Sequence, residues 1–251
     1  MTRESGGGPV SVRTLLFAIL ALAVSAGCVR LGFWQISRLR ERQARNALVI
    51  ARMERAPVPV TSIEADTGVR YQRAWAQGRY DFAHEFVHAT RSRQGSPGVH
   101  ILTPLLLEGT NDTAVFVNRG WVYSPDGMRV DLERWREPDT ARVEGFVEEF
   151  VKATGPVSTP SASDALRRLD LDSLRARLPY ALLPVILVQQ RDSALAAEGK
   201  VPARVSPPPL TEGPHRSYAI QWFGFAVVGV VGTSLVVVRD MRQRRRGKPG
   251  G

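Results

Sequence analysis

The chain holds one cysteine, Cys28, so no intrachain disulfide can form. Any folded domain must stand on its apolar core alone. The short patterns of common catalysts are also missing: no HExxH, no GxSxG and no phosphate-loop sequence. Histidine is scarce, with 4 in 251 residues. His84 and His88 fall in a strand-like run and share one face, with no third ligand near them. His100 alternates with Leu102 and reads as partly buried, while Glu148 and Glu149 read as solvent-facing charges. Nothing here assembles a hydrolase or a transferase. A non-enzyme with no catalytic residue is expected.

Two apolar runs dominate what is present. From Ser217 to Val238 no residue is charged. At ~1.5 Å per residue that run covers roughly 33 Å, enough to cross a hydrocarbon core of about 30 Å. Arg239, Arg242, Arg244, Arg245, Arg246 and Lys248 follow it directly. The other run spans Thr14 to Trp34 and contains one charge, Arg30, whose long side chain can snorkel to the boundary. Arg38, Arg40, Arg42 and Arg45 come next. The net charge of +10 therefore has a home beside lipid, and nucleic acid is not an expected partner.

With two spans, both termini share a side. The short basic tail belongs inside, because long loops translocate largely regardless of charge. The expected layout is a cytoplasmic segment 1–13, a first span 14–34, a periplasmic domain 35–216, a second span 217–238 and a basic cytoplasmic tail 239–251. A bacterial inner membrane fits the short, Gly-rich leader containing Glu4 better than a mitochondrial one. An alternative is an acylated periplasmic lipoprotein cleaved before Cys28. It is disfavoured by Ser25 three residues upstream and by the apolar run Leu31-Gly32-Phe33-Trp34 downstream.

Between the spans the pattern turns to short alternating runs. Residues 72–80, 85–90, 99–107, 114–123, 142–150 and 182–190 read as strands, separated by Gly, Pro, Asn and Asp clusters. The fold class expected is a membrane-anchored α+β chain, with two transmembrane helices flanking a mainly antiparallel, barrel-like β-rich domain. The first helix should run on past the membrane to about Arg55, where Pro57 and Pro59 stop it. A helix over 163–178 is expected from Ser163-Asp164 and the spacing of Leu166, Leu169 and Leu174. Residues 199–214 read as a stiff, proline-rich linker back to the bilayer.

Two places invite a functional reading. In Val115–Val122, alternation puts Arg119 on the face of Val117 and Trp121, where its guanidinium would stack on the indole. Asn118 and Gly120 would look outward or toward a tight backbone contact. The run is either a structural Arg–Trp pair or a partner-recognition patch. At the second span, His215, Tyr218, Trp222 and Phe225 share a helical face, and an imidazole there can ligate a metal or haem iron. Antiparallel spans would bring Arg30 near Gln221. The small residues Ala23 and Gly27, and Gly229 and Thr233, would line the helix contact.

These residues resemble a family. Leu31-Gly32-Phe33-Trp34-Gln35 with Arg38, Tyr71-Gln72-Arg73, Gly78-Arg79-Tyr80, Gly98-Val99-His100, Thr103-Pro104-Leu105, Val117–Val122 and His215 with Tyr218–Phe223 are similar, in order, to the surfeit-locus-one family of cytochrome c oxidase assembly proteins. The resemblance implies a role in maturing haem–copper oxidase, with haem a passing to the catalytic subunit. It makes His215 the candidate haem ligand, with Arg216 facing a propionate and Tyr218, Gln221 and Trp222 beside them. Trp34, Gln35, Asn118, Arg119 and Trp121 become the partner surface, and the oxidase catalytic subunit, other assembly factors and membrane lipids the expected partners. The competing expectation is a membrane-anchored protein-binding module without haem.

Overall fold

A computed structural model describes residues 10–64, 68–150, 165–190, 198–207 and 209–246. It divides into two compact units. One joins residues 1–47 to 210–251, and the other is Leu48–Pro209.

The first unit is a pair of long helices. Helix α1 covers Val12–Met53 without a break, as its run of Leu, Ala, Arg, Glu and Gln favours. Its last turns, from Leu48, belong to the second unit. The last helix of the chain covers His215–Arg246. Both are long and apolar enough to cross a membrane. This fits a membrane-anchored protein. Their seam is made of small groups: Ser25, Cys28 and Gly32 on α1 are buried, as are Ala219, Ala226 and Thr233 on the last helix. Gly229 lies against the Ser25 hydroxyl, and a Cβ on Gly32 would stand 2.7 Å from the Phe223 ring. Such contacts let backbones approach where no hydrophobic effect drives association. Ala23 and Gly27 were expected in this seam. Gly27 instead faces open space and Ala23 is exposed, because the contact stripe runs through 25, 28, 32 and 35. Arg30 and Gln221 are both exposed, outside that stripe.

The second unit is an eight-stranded sheet closed on itself. Its strands are β1 (Val58–Pro59), β2 (Arg73–Tyr80), β3 (Phe86–Arg93), β4 (Ser96–Leu107), β5 (Thr113–Tyr123), β6 (Thr140–Glu149), β7 (Ala165–Leu166) and β8 (Ala181–Gln189). Their order is β1-β2-β6-β8-β5-β4-β3-β7, and β2 also pairs with β4. The five strands β2, β6, β8, β5 and β4 thus form a closed barrel, which leaves no edge within the ring. Strand β4 is long enough to serve twice. Its second half pairs with β2, and its first half carries β3 outward. Pairing is antiparallel except for β1–β2, β3–β7 and β5–β8. Closure needs a tight corner, and Gly78 supplies it: a Cβ there would collide with the Leu106 carbonyl.

Alternating residues fill the barrel, among them Ala74, Ala76, Leu105, Val115, Val117, Val143, Val147 and Leu187. A second cluster outside the ring packs Phe86, Leu102, Phe116, Leu182 and Ile186 against Leu169 and Leu174. Here the expected helix over 163–178 is corrected. Residues 163–164 lie outside the described residues, and Ala165–Leu166 form β7. The helix, α2, is only Leu171–Arg175, started by Asp170, whose carboxylate accepts from the Ser173 amide at 2.9 Å. A strand, a loop and one helical turn deliver Leu166, Leu169 and Leu174 to the same cluster, which mimics helical spacing. The last helix of the chain, His215–Arg246, is α3.

The proline-rich return segment is also not a free spacer. Ala203 forms a bridge with Trp121, with N–H···O distances of 2.9 and 2.7 Å, and Val201 and Pro202 are buried.

Candidate functional site

The β5 signature is ordered by a bulge. Ile101 pairs with Gly120 and Leu102 with Asn118, so Arg119 is the extra residue. Gly120 takes φ +134°, and a Cβ on it would stand 2.5 Å from the Ala203 carbonyl oxygen. Only glycine fits both the conformation and the close approach. The bulge breaks the alternation that would have set Arg119 beside Trp121. Arg119 turns inward and is 0% exposed. Its Nη1 donates to Glu85 at 2.7 Å and its Nε to Glu137 at 3.1 Å, while Nη2 reaches the Trp135 carbonyl. The guanidinium packs on the rings of Tyr80 and Phe82, so the expected stacking on Trp121 is replaced.

A second arginine completes this network. Arg204, from the return segment, donates to Glu137 at 2.8 Å and to the Arg119 carbonyl. Burial raises the Glu85 carboxyl above its ordinary range, against the pull of Thr103 and Arg119. Glu137 goes the other way. Burial opposes its charge, but hydrogen bonds and charge from Arg204 and Arg119 hold it low. The four charges tie β5, the residue just ahead of β3, the loop before β6 and the return segment into one buried knot. Sequence reasoning marked Arg119 alone. Glu85, Glu137 and Arg204 carry no local pattern that would single them out.

Asn118 and Arg119 are therefore buried and offer no surface to a partner. Asn118 donates to His100 Nδ1 at 3.2 Å, and its carbonyl oxygen accepts from the Gly120 amide. Trp121 is partly exposed. Its indole N–H donates to the Arg91 carbonyl at 3.2 Å, and Arg93 lies over the ring.

His84 and His88 do not share a strand face. His84 sits in a 3-10 turn ahead of β3, bonded to Asp81 at 2.7 Å. Burial opposes the Asp81 charge, but His84 and Tyr180 hold its carboxyl below the usual range. His88 lies in β3 and meets His100 of β4, ring to ring at 6.1 Å.

In the helical unit, His215 is the first residue of α3 and bonds through Nδ1 to Gln35 Oε1 at 2.8 Å. Gln35 is 9% exposed and belongs to the α1 stripe, so it positions His215 instead of facing a partner. The signal for this was its spacing from Cys28 and Gly32 along one helical face. Gly213, at φ +72°, lets the chain turn close beside the imidazole. Trp222 packs edge-on against Phe225 at 5.9 Å, and Tyr218 is exposed on the same face of α3. Gln221 and Arg216 are exposed and point off that face. Trp34 is exposed, with Arg38 over its ring at 5.6 Å. Arg42 and Asn46 of α1 donate to the Thr211 carbonyl, holding the approach to α3. Among the described residues, no three His, Cys, Asp or Glu side chains gather as a metal site.

The chain matches the model of the SURF1 family over residues 22–227. An uncharacterised SURF1-like protein of Mycobacterium bovis is 23% identical over 256 residues, covering 94% of this chain and 88% of the relative. Uncharacterised SURF1-like proteins of two Mycobacterium tuberculosis strains match at the same identity and coverage.

Proposed function

The chain belongs to the SURF1 family, and on that premise we propose that it is a membrane-anchored assembly factor for haem–copper oxidase of the cytochrome c type. The family is one of cytochrome oxidase assembly factors, not of catalysts. We assign both termini to the cytoplasm of a bacterial cell and residues 35–216 to the far side of the inner membrane, which the basic tail after Val238 supports. The oxidase catalytic subunit and other assembly factors are its partners.

In the finer reading the chain holds haem a on its way to that subunit. The observation that carries it is the Gln35–His215 hydrogen bond. An imidazole that donates from Nδ1 to a fixed acceptor keeps the Nε2 lone pair for iron and has its ring orientation set. Tyr218 and Trp222 lie on the same helical face as His215 and serve as apolar walls, whereas Arg216 points off that face and is left out of the site. Haem a, when bound, supplies the redox iron of the finished oxidase. The residues of this chain hold, orient and release it, and break no bond.

The test is purification from cells that make haem a. A Soret band should accompany the protein, vanish in His215→Ala and weaken about 10–100-fold in apparent affinity in Gln35→Leu. Absence of the band, or indifference to His215→Ala, would leave a protein-binding module without haem. Deleting the chain should lower the haem a content of the oxidase. An unchanged content would refute the assembly role.

A further inference from the structure

A cavity of about 570 Å³ lies in the β-rich unit and shares no lining residue with the haem reading. Its floor is the His88–His100 pair, and Phe150, Leu169, Ile186 and Val205 give it apolar walls. Arg91, Arg167 and Arg168 enter it from β3 and from the loop between β7 and α2. A volume of this size suits a small molecule.

The backbone is strained to aim Arg91 here. The β3–β4 register slips between His88 and Arg91, and Thr90 takes φ +56°, which a β-branched residue rarely adopts. Its amide is held by the Gly127 carbonyl at 2.7 Å, and the Arg91 carbonyl accepts from the Trp121 indole. Strain of this kind persists where the surroundings over-determine it, and it clusters at binding sites. Among the described residues, the buried Arg91 Nε has no hydrogen-bond partner, and a buried donor left unpaired is costly.

The acidic groups of the cavity are engaged. Glu149 accepts from the Arg70 amide, Glu148 lies 3.8 Å from the Arg70 guanidinium and also offsets part of the Arg91 charge, and Asp170 caps α2. Burial, then the charge of Arg91, lowers His88 to about 3 and His100 to about 4. At neutral pH both rings are uncharged. His100 Nδ1 accepts from Asn118, so its proton sits on Nε2 as a donor. A metal ion does not suit this floor, because the Arg91 guanidinium occupies His88 Nε2 and repels a cation. An oxyanion does suit it. Arginine forks match carboxylate and phosphate geometry, and the apolar walls ask for a hydrocarbon body.

We propose that this cavity binds the phosphate or carboxylate head of a small amphiphile, with Arg91, Arg167 and Arg168 on the head and Phe150, Leu169 and Ile186 on the tail. The head comes either from a membrane phospholipid or from a soluble amphiphilic acid.

The test uses the full chain in phosphatidylcholine nanodiscs, titrated calorimetrically with hexyl phosphate. One saturable site per chain is expected. Its affinity should fall about tenfold or more in Arg91→Gln and again in Arg168→Gln. Arg168 is exposed, so that variant keeps the fold whatever Arg91→Gln does, and circular dichroism checks both. Inorganic phosphate should bind at least tenfold more weakly than hexyl phosphate. Displacement of hexyl phosphate by vesicles containing phosphatidic acid would identify a lipid as the source, and lack of displacement a soluble acid. No saturable site, undiminished binding in Arg168→Gln, or inorganic phosphate binding as tightly as hexyl phosphate would overturn the proposal. A Soret result at His215 bears on none of these readouts.

Discussion

Replacing Arg119 by methionine keeps the aliphatic stem and removes the charge that two carboxylates share. Glu137 retains Arg204 at 2.8 Å. Glu85 does not fare as well. It is 6% exposed and, among the described residues, would keep the Thr103 hydroxyl and the more distant charge of Arg136. Breaking a buried pair from one side costs about 3–5 kcal/mol, because the orphaned charge stays desolvated. At about 2–4 °C per kcal/mol for a domain of this size, the melting temperature should drop by roughly 6–20 °C. The least costly escape is protonation of Glu85, whose carboxyl is already raised in the native protein. In the variant, folding would then take up a proton. The deficit should therefore be smaller at pH 5 than at pH 8, since a group raised on folding loses its contribution as pH climbs. Arg119→Met/Glu85→Leu should recover part of the loss, with a coupling of about 0.5–3 kcal/mol. Thermal melts of the solubilised chain, followed by far-ultraviolet dichroism, measure all of this. A drop below about 4 °C, or a double variant no better than the single one, would refute the assignment of Arg119 as the counterion of Glu85.

Gly120→Ala should destabilise the domain by more than about 1–3 kcal/mol, since the strained φ and the collision with the Ala203 carbonyl act together; urea unfolding reads it, and a neutral result refutes the close approach. His88 and His100 are held neutral in the folded state, so stability is full above about pH 6.5 and falls as pH drops toward their folded values of about 3 and 4. The slope is at most about 1.4 kcal/mol per pH unit for each ring, and urea midpoints at pH 7.5 and pH 5 should converge in His88→Phe/His100→Gln. An unaltered slope in that variant counts against the buried pair. Cysteines at Ser25 and Gly229, in a background where Cys28 is replaced by serine, should crosslink on oxidation, whereas cysteines at Arg30 and Gln221 should not. Gels run without reductant decide this, and the opposite pattern would shift the helix seam.

Much of the architecture was legible because it rests on patterns that survive in one dimension. The uncharged run Ser217–Val238 and the β-branched and aromatic content of Val115–Val122 need no partner to be read. Closure of the barrel was half legible: the strand spacing implies it, but the β2–β4 pairing depends on a twist that no local pattern encodes. The Leu166–Leu174 spacing misled, since a strand followed by a short turn can deliver leucines to one cluster as a helix would. At the candidate site, His215 was found by chemistry and position. Gln35 was found but given the wrong neighbour, because a side chain at a span boundary faces lipid, water or the other helix with equal ease. Arg119 was misdirected by a bulge, which shifts every side chain after it by one place. Arg204 was invisible in a proline-rich stretch that reads as a spacer.

Strand β8, which seals the ring between β6 and β5, is the last of the described strands in the chain. Roughly forty residues part Glu149 from Gln189, which at ~5–20 residues per second is about 2–8 s of synthesis. For that interval the nascent half-cylinder exposes two unsatisfied ladders, a template for mispairing with neighbouring polypeptides. Its biogenesis therefore calls for a holding chaperone on the side where the domain emerges, and production that outruns that helper should yield aggregates seeded by β5 and β6 before it yields any shortage of folded protein.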